Sequence, residues 1–585
     1  MTETRGANDG NYRAWSLFII ATVALISAQP VQATPLPLLF RRNEVSSAPV
    51  TKYGPAYGSH GAVATESGIC SNVGVEILKA NGSAVDATIA SALCTGVVNA
   101  FSSGIGGGGF MIVRTPKGHA EIIDFRETAP ASANETLFVP NPKLSQIGGL
   151  GVGVPGEIRG FELAHKRYGT LPWARLFDPS IKLARDGFPV TTELAYRLSV
   201  SPWILNNTNF AAIYAPKGAL LKEGEEFKNP VLAKTLETIA KKGASAYYKG
   251  DIAKAIAKAV QQNGGIITTR DLANYSAKLR KPLKGWYQGL EIITPPPPSS
   301  GAILLSVLNI VERYNFAKDG LTGLNLHRLI EAFKFGYAQR TELGDPQFVK
   351  DIEARVKEFI DKETAANIRA NISDTRTFEP GYYRPKYDGE ETPGTAHISA
   401  IDRHGLAVGL TSTVNLIFGS QVRDNVTGII FNNEMDDFAT PGVPNAFGFP
   451  PSPNNLIRPG KRPLSSMVPT IILRDGKLET VVGASGGSRI ITATAQAILD
   501  TYDFGADVFK TVADPRAHHQ LIPNIANLDF DYSKTLAQAL RDRGHNVTFS
   551  ANGARTSNVQ IVTLFPNGTY AAASDPRKNG QASAY

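Results

Sequence analysis

Gly394-Thr395-Ala396-His397-Ile398-Ser399-Ala400-Ile401-Asp402-Arg403-His404-Gly405-Leu406-Ala407-Val408-Gly409-Leu410-Thr411-Ser412-Thr413 is the stretch on which the rest of the chain turns. Thr395, Ile398 and Ala400 begin a β pattern, Leu406 to Thr413 supplies the returning run, and Gly405 gives the connection a permissive backbone. The stretch therefore predicts a hairpin. Its first threonine follows Pro393-Gly394, at the end of a turn-rich approach from Arg384. Were the Gly394–Thr395 bond cut, one residue would carry a β-hydroxyl and a free α-amine, whose reference pKa of about 7.7–8.0 suits a base at neutral pH. Threonine beside its own terminal amine is a known way of activating a weak nucleophile. The competing reading is an ordinary strand threonine.

Outward from the hairpin stand Val414-Asn415, Asn432-Asn433-Glu434-Met435-Asp436-Asp437-Phe438, Pro463-Leu464-Ser465-Ser466-Met467 and Gly486-Gly487, with Gly104-Ile105-Gly106-Gly107-Gly108 and Arg126-Glu127-Thr128-Ala129-Pro130 upstream. In order and spacing these blocks resemble the γ-glutamyltranspeptidases, in particular their eukaryotic members, from about Gly54 onward. The resemblance implies an α+β fold, the four-layer αββα sandwich of the N-terminal-nucleophile hydrolases, formed jointly by two chains after autocleavage between Gly394 and Thr395. It divides the chain into a leader (1–33), a large subunit (34–394) and a small catalytic subunit (395–585). Patterning alone gives only α+β or α/β.

The chain has 585 residues, 42% of them apolar, enough for a large core. Length alone allows about four domains, yet Pro295 to Pro298 and Pro450 to Pro459 are short and flanked by patterned sequence, so one globule is expected. The net charge of +8 is spread thinly, without a run of five basic residues, which disfavours nucleic acid and a polybasic membrane surface.

Ala14 to Ala28 is a mainly apolar run after Arg13, too short to span comfortably, and Val31-Gln32-Ala33 resembles a cleavage site. A cleaved signal peptide is the expectation; a type II anchor is the alternative, since Arg5 and Arg13 are balanced by Arg41 and Arg42. Both place the body in the secretory pathway, lumenal, vacuolar or extracellular. Asn81, Asn134, Asn206, Asn274, Asn371, Asn425, Asn546 and Asn567 stand in glycosylation sequons. Cys70 lies eleven residues before Asn81-Gly82, a helix stop, and Cys94 eleven after Ser83, which opens the next helix with a capping-box pattern. In an antiparallel helix pair both sulfurs lie about 16 Å from the turn, so a Cys70–Cys94 disulfide is expected, against two buried free thiols. The eukaryotic members resemble this arrangement.

Gly104 to Gly109 formally matches a dinucleotide fingerprint, but here a helix enters the glycines and a strand leaves them, the reverse of what that site needs. Close backbone packing is the expected use. Strands at Met111 to Arg114 and Ala120 to Phe125 deliver Arg126, whose fork suits a carboxylate; a surface charge or a pair with Glu127 is the bland option. Residues 155–350 read as mostly helical, and Ile429 to Asn432, Thr470 to Leu473 and Glu479 to Val482 as strands, with a helix from Ile491 to Tyr502.

The head of a γ-glutamyl group is a free amino acid, so its pocket must satisfy an ammonium and a carboxylate together. From the positions matching the family's, Arg126 with Ser465 and Ser466 is expected to take the carboxylate, and Glu434, Asp437 and the Asn415 oxygen the ammonium. Gly486 and Gly487 are expected to offer N–H groups to an oxyanion; a phosphate cradle is the competing use, and no Walker lysine accompanies it. Thr413 is placed against Thr395 to assist it, and His397 is read as structural.

The expected activity is γ-glutamyl transfer and hydrolysis on glutathione and related compounds, through an acyl-enzyme on Thr395 that passes to water, amino acids or dipeptides. No metal or organic cofactor is implied. The alternatives are a related amidase or acylase on this scaffold, or a catalytically silent secreted glycoprotein. Ile417 stands where animal members often have tyrosine, so the acceptor edge is expected to differ.

Overall fold

A computed structural model describes residues 54–388, 394–442, 448–554 and 556–585, which fall within one compact unit. The leader and its cleavage point lie outside the described residues.

The hairpin forms as the sequence dictates. Ala396–Ile401 and Ala407–Thr413 pair antiparallel, with Ala396 opposite Ser412 and Ile401 opposite Ala407. The Asp402 carboxylate accepts the N–H groups of His404 (2.9 Å) and Leu406 (3.1 Å), and Gly405 takes φ 79°, so turn chemistry sets the register. This hairpin is the middle of a seven-stranded sheet ordered Ser583–Ala584, Ala62–Ala64, Ala396–Ile401, Ala407–Thr413, Gly108–Arg114, Ala120–Asp124 and Lys278–Arg280. The second seven-stranded sheet runs Ala56–Gly58, Tyr570–Ser574, Asn558–Leu564, Lys477–Ser485, Thr470–Arg474, Leu290–Thr294 and Leu283–Tyr287.

The sheets stack face to face. A Cβ on Gly483 would lie 2.3 Å from the His397 ring, and Ser399 Oγ donates to the Gln560 carbonyl across the interface at 3.1 Å. Strand periodicity then sorts the core: Phe110, Ile112 and Ile122 join the interior with Ile471 and Val481, while Met111, Val113 and Ile123 pack outward with the helices Gly68–Lys79 and Ala84–Val98. Helices Gly301–Val311, Gly323–Arg340 and Arg489–Tyr502 cover the other sheet, completing the αββα sandwich. Each sheet takes strands from both sides of Gly394.

The two cysteine helices meet as expected. Asn81 adopts φ 66° after the first, the Ser83–Asp86 capping box opens the second, and Cys70 and Cys94 are disulfide-bonded. One reading needs correction, and the mostly helical 155–350 segment also contributes strands. Ile429 to Asn432 is not a strand: it makes one isolated bridge, Arg423 to Ile430, its backbone bonds going to Ser420, Val422 and Asp424 across a tight loop while Asn432 turns away to Gly106 and Gly153. Within 155–350, Lys278–Arg280, Leu283–Tyr287 and Leu290–Thr294 are strands. The last two turn at Gln288-Gly289 with φ 49° and 80°, a left-handed pair for which Gln is a weaker signal than Asn.

Because both sheets are built across Gly394 and the two cysteines both precede it, a cut at that point leaves the ladders intact and no covalent link. The two products should comigrate on a native gel and separate in SDS without reductant. Replacing Cys70 and Cys94 by alanine should cost about 3 kcal/mol for a closed loop of this size, read as a fall of a few degrees in Tm.

Candidate active site

Thr395 stands at the mouth of the hairpin, one residue before the ladder begins, and is 3% exposed. Its hydroxyl lies against the carbonyl oxygen of Gly394. That oxygen also accepts the Thr413 hydroxyl at 3.0 Å, and Thr413 Oγ1 in turn accepts the Asn415 N–H at 2.8 Å. Only glycine fits before the nucleophile: Gly394 has φ 135°, and a Cβ would sit 1.9 Å from the Asn415 carbonyl. Thr413 thus polarises the carbonyl that the Thr395 hydroxyl faces.

The glycine loop secures this corner. A Cβ on Gly107 would lie 1.9 Å from the Thr413 carbonyl, one on Gly109 2.1 Å from that of Thr411, and one on Gly106 2.1 Å from that of Ile430. These glycines serve backbone contact, as the order of elements implied. His397 is fully buried, bonded to Thr411 Oγ1 at 2.8 Å and Ser399 Oγ at 3.1 Å. Burial pushes its pKa down to about 3, which keeps it neutral and structural.

Arg126 follows the strand Ala120–Asp124 and is 1% exposed. Its guanidinium pairs with Glu434 and Asp437, and donates to the carbonyls of Pro463 and Leu464, both at 3.3 Å. Ser465 and Ser466 are the next residues along. Ser465 Oγ accepts the Met467 N–H at 3.2 Å, and the Ser299-Ser300 corner braces the segment through the Ser465 and Met467 carbonyls. Asn415 is held at φ 74°, its Nδ2 donating to the Asn433 carbonyl at 3.1 Å.

The electrostatics are those of one cation among three acids. Burial works against the Arg126 charge, but Glu434, Asp437 and Glu127 outweigh it and hold the pKa above its ordinary value. Burial pushes Glu127 up to about 8 and Glu434 well above the carboxylate range, each opposed by Arg126. Neither Glu127 oxygen has a donor, while Glu434 lies within reach of it. One proton placed between these two carboxyls would satisfy both. A ligand ammonium would favour the ionised carboxylates and expel such a proton to solvent, and a ligand carboxylate would compete for Arg126, so the cluster suits a zwitterion.

Gly486 and Gly487, at φ 122° and 61°, link the strand Lys477–Ser485 to the helix Arg489–Tyr502. Lys578 joins them to the nucleophile: its ammonium donates to the Thr395 carbonyl at 3.1 Å, to Ser485 Oγ at 3.2 Å and to Glu66 at 2.8 Å.

Sequence reading had not singled out Lys578, Glu66, Asn432 or Asn455. Asn432 binds Gly106 and Gly153 and caps Glu434; Asn455 donates to the Asp437 carbonyl at 2.7 Å and accepts the Leu464 N–H at 3.0 Å. Asn455 stands in a Pro-rich segment and Asn432 ends a stretch with strand composition, and neither context reveals its partners. Elsewhere, His327, Glu331 and His545 bring three potential metal-ligand atoms within 4.8 Å of one another. The histidines already bond each other at 2.7 Å, Glu331 takes the Thr377 and Tyr383 hydroxyls, and the Lys334 ammonium stands 3.8 Å from it. That group is a hydrogen-bonded seam.

The family model described as Gamma-glutamyltranspeptidase matches residues 70–585. "Glutathione hydrolase proenzyme 1" of Schizosaccharomyces pombe is 47% identical over 536 residues, covering 90% of this chain and 85% of its own. A cephalosporin acylase from Bacillus halodurans superposes with a TM-score of 0.81 at 27% identity, over 94% of this chain and 99% of that one. A chain of the Helicobacter pylori gamma-glutamyltranspeptidase gives a TM-score of 0.53 at 35% identity, over 58% of this chain and 97% of its own.

Such a proton would have a measurable consequence. A zwitterionic ligand should release protons on binding at pH 7, seen as a buffer-dependent calorimetric heat, and its KM should fall as pH rises from 6 towards 8, the range in which Glu127 at about 8 loses its proton. Glu127→Gln should remove most of that dependence.

Proposed function

The chain belongs to the γ-glutamyltranspeptidase family, and on that premise we infer that it is an autoprocessed γ-glutamyltransferase and glutathione hydrolase. The observation that carries the mechanism is the Gly394 carbonyl, held by the Thr413 hydroxyl while the Thr395 hydroxyl lies against it. Thr395 Oγ attacks that carbonyl carbon; the C–N bond breaks, leaving an ester on Oγ and a free α-amine. Water then hydrolyses the ester to two chains, 34–394 if the leader is removed and 395–585.

In turnover the freed α-amine takes the Oγ proton, and Oγ attacks the γ-glutamyl amide. The oxyanion is met by the N–H groups of Gly486 and Gly487, a contribution of about 2.7–4 kcal/mol per donor in other enzymes. The proton passes to the leaving amine, cysteinylglycine in the case of glutathione. Water or the amine of an amino acid or dipeptide then takes the acyl group from Thr395. Arg126, Ser465 and Ser466 hold the donor carboxylate, and Glu434, Asp437 and Asn415 its ammonium. The presence of one cation and two acids in a single buried cluster beside the Leu464-Ser465 segment supports that reading.

The secretory pathway is the proposed location. The Cys70–Cys94 disulfide supports it, as does the exposure of all eight sequon asparagines. N-terminal sequencing should find one start near Thr34 and another at Thr395, and glycosidase treatment should increase mobility.

Thr395→Ala should remain one inactive chain, since a methyl group cannot attack. Thr395→Ser should cleave, more slowly, and retain turnover. Gly394→Ala should also stay uncleaved, because its Cβ would strike the Asn415 carbonyl. A fragment beginning at residue 395 in Thr395→Ala, seen on a gel, defeats the mechanism. Asp437→Asn should raise KM for glutathione about 10- to 100-fold, the scale of a charged hydrogen bond, and lower kcat as positioning is lost. Unchanged kinetics would remove Asp437 from the site.

A further inference from the structure

The nucleophile has an anchoring problem. Its strand enters the ladder only at Ala396, so Thr395 is outside the register, and cleavage removes the chain that precedes it. Its carbonyl is gripped by the Lys578 ammonium at 3.1 Å. We propose that Lys578, tied to Glu66 and Ser485, is the positioning residue that fixes the Thr395 backbone, so that the hydroxyl and the freed α-amine keep their aim before and after cleavage.

Three features carry this. First, the lysine is a fixed arm. It ends the turn Pro576–Lys578, which Asp575 opens by accepting the Arg577 N–H at 2.9 Å; Asn579 N–H closes on the Pro576 carbonyl at 2.9 Å, and Asp575 is itself locked by Arg516. Second, its charge is committed. Lys578 is 5% exposed and Glu66 2%, and they pair at 2.8 Å. Burial pushes the Glu66 carboxyl up, and Lys578 is the main group drawing it back.

Third, the anchors come from the right places. Glu66 precedes the cleavage point, so it holds the small subunit's first residue from the large one. Ser485 immediately precedes Gly486-Gly487, and its hydroxyl donates to Glu66 while receiving Lys578. One ammonium therefore sets the distance between the attacking group and the oxyanion donors. Fixing the Thr395 carbonyl fixes ψ of that residue, which restricts where its amine and side chain can point.

The proposal rests on Thr395 being the nucleophile, and the test separates the two. In the full-length enzyme, Lys578→Gln should lower kcat for donor hydrolysis by about 10- to 100-fold, the scale of a misplacement near 1 Å, with KM for the donor nearly unchanged. It should also slow cleavage of the precursor. Lys578→Arg, which keeps a cation of similar reach, should recover much of both. Should Lys578→Gln fail to fold, judged by its melting curve, Ser485→Ala removes one anchor and should still lower kcat at constant KM.

A folded Lys578→Gln with normal kcat and cleavage overturns the proposal. So does one in which only saturation by an amino-acid acceptor changes, because Lys578 also borders a solvent-open pocket of about 470 Å³ with Asn99 and Thr191. Where Lys578→Gln does not fold, an unchanged kcat in Ser485→Ala overturns it equally. Thr395→Ala is the reference: activity there refutes the nucleophile itself, whereas silence there beside full activity in Lys578→Gln refutes only the anchor.

Discussion

A guanidinium buried to 1% exposure is the constraint that the site depends on. An isolated charge at that depth is prohibitive, so Arg126 is stable only where Glu434, Asp437 and the carbonyls of Pro463 and Leu464 converge on it. Arg126 lies before Gly394 and its partners after it. The same contacts therefore join the two halves of the chain and form the cluster proposed to meet the donor. An excess of acid over base remains, and burial pushes the Glu127 and Glu434 carboxyls up against the pull of Arg126. Burying three acids around one cation is costly for stability, and a further cation beside them would offset that cost.

The junction follows the same logic. The hairpin register, with Ala396 opposite Ser412, brings the Thr413 hydroxyl to the Gly394 carbonyl, and the strands on either side in the sheet hold that register in the uncut chain. Cleavage then changes connectivity without changing the ladders. The polar residues of the hairpin point between the sheets: His397 and Ser399 bond Thr411 and the Gln560 carbonyl there, making the nucleophile's support rigid on the side away from solvent.

Much of this was legible because local chemistry and global fold agree. The Asp402 turn, the Ser83 capping box and the Cys70–Cys94 pairing are each decided by residues close in sequence, and each forms. The glycine loop was readable by elimination, since its flanking elements were in the wrong order for a nucleotide. What escaped were partnerships set by tertiary contact. Ile429 to Asn432 has strand composition, yet Asn432 spends its amide on Gly106 and Gly153, more than 270 residues away. Leu283–Tyr287 hid behind a Gln-Gly turn and an edge position. Lys578 and Glu66, 512 residues apart, look like surface charges until the fold brings them together.

The scaffold itself does not choose the substrate. The Bacillus halodurans structure titled a cephalosporin acylase shares the fold over 94% of this chain, so sheets, helix layers and nucleophile strand are compatible with more than one acyl donor. Discrimination must come from groups that are satisfied by one donor head and left unpaired by another. In the proposed donor site those are Arg126, Glu434 and Asp437: an apolar acyl group would bring no second cation to the acids around Arg126 and no donor to Asp437 Oδ1, which makes it expensive to admit. A donor bearing both an ammonium and a carboxylate satisfies them together, and it does so at the far end from the scissile amide. That distance matters for rate as well as choice: binding energy realised at the head positions the carbonyl against Thr395, so loss of a head contact lowers kcat as well as raising KM.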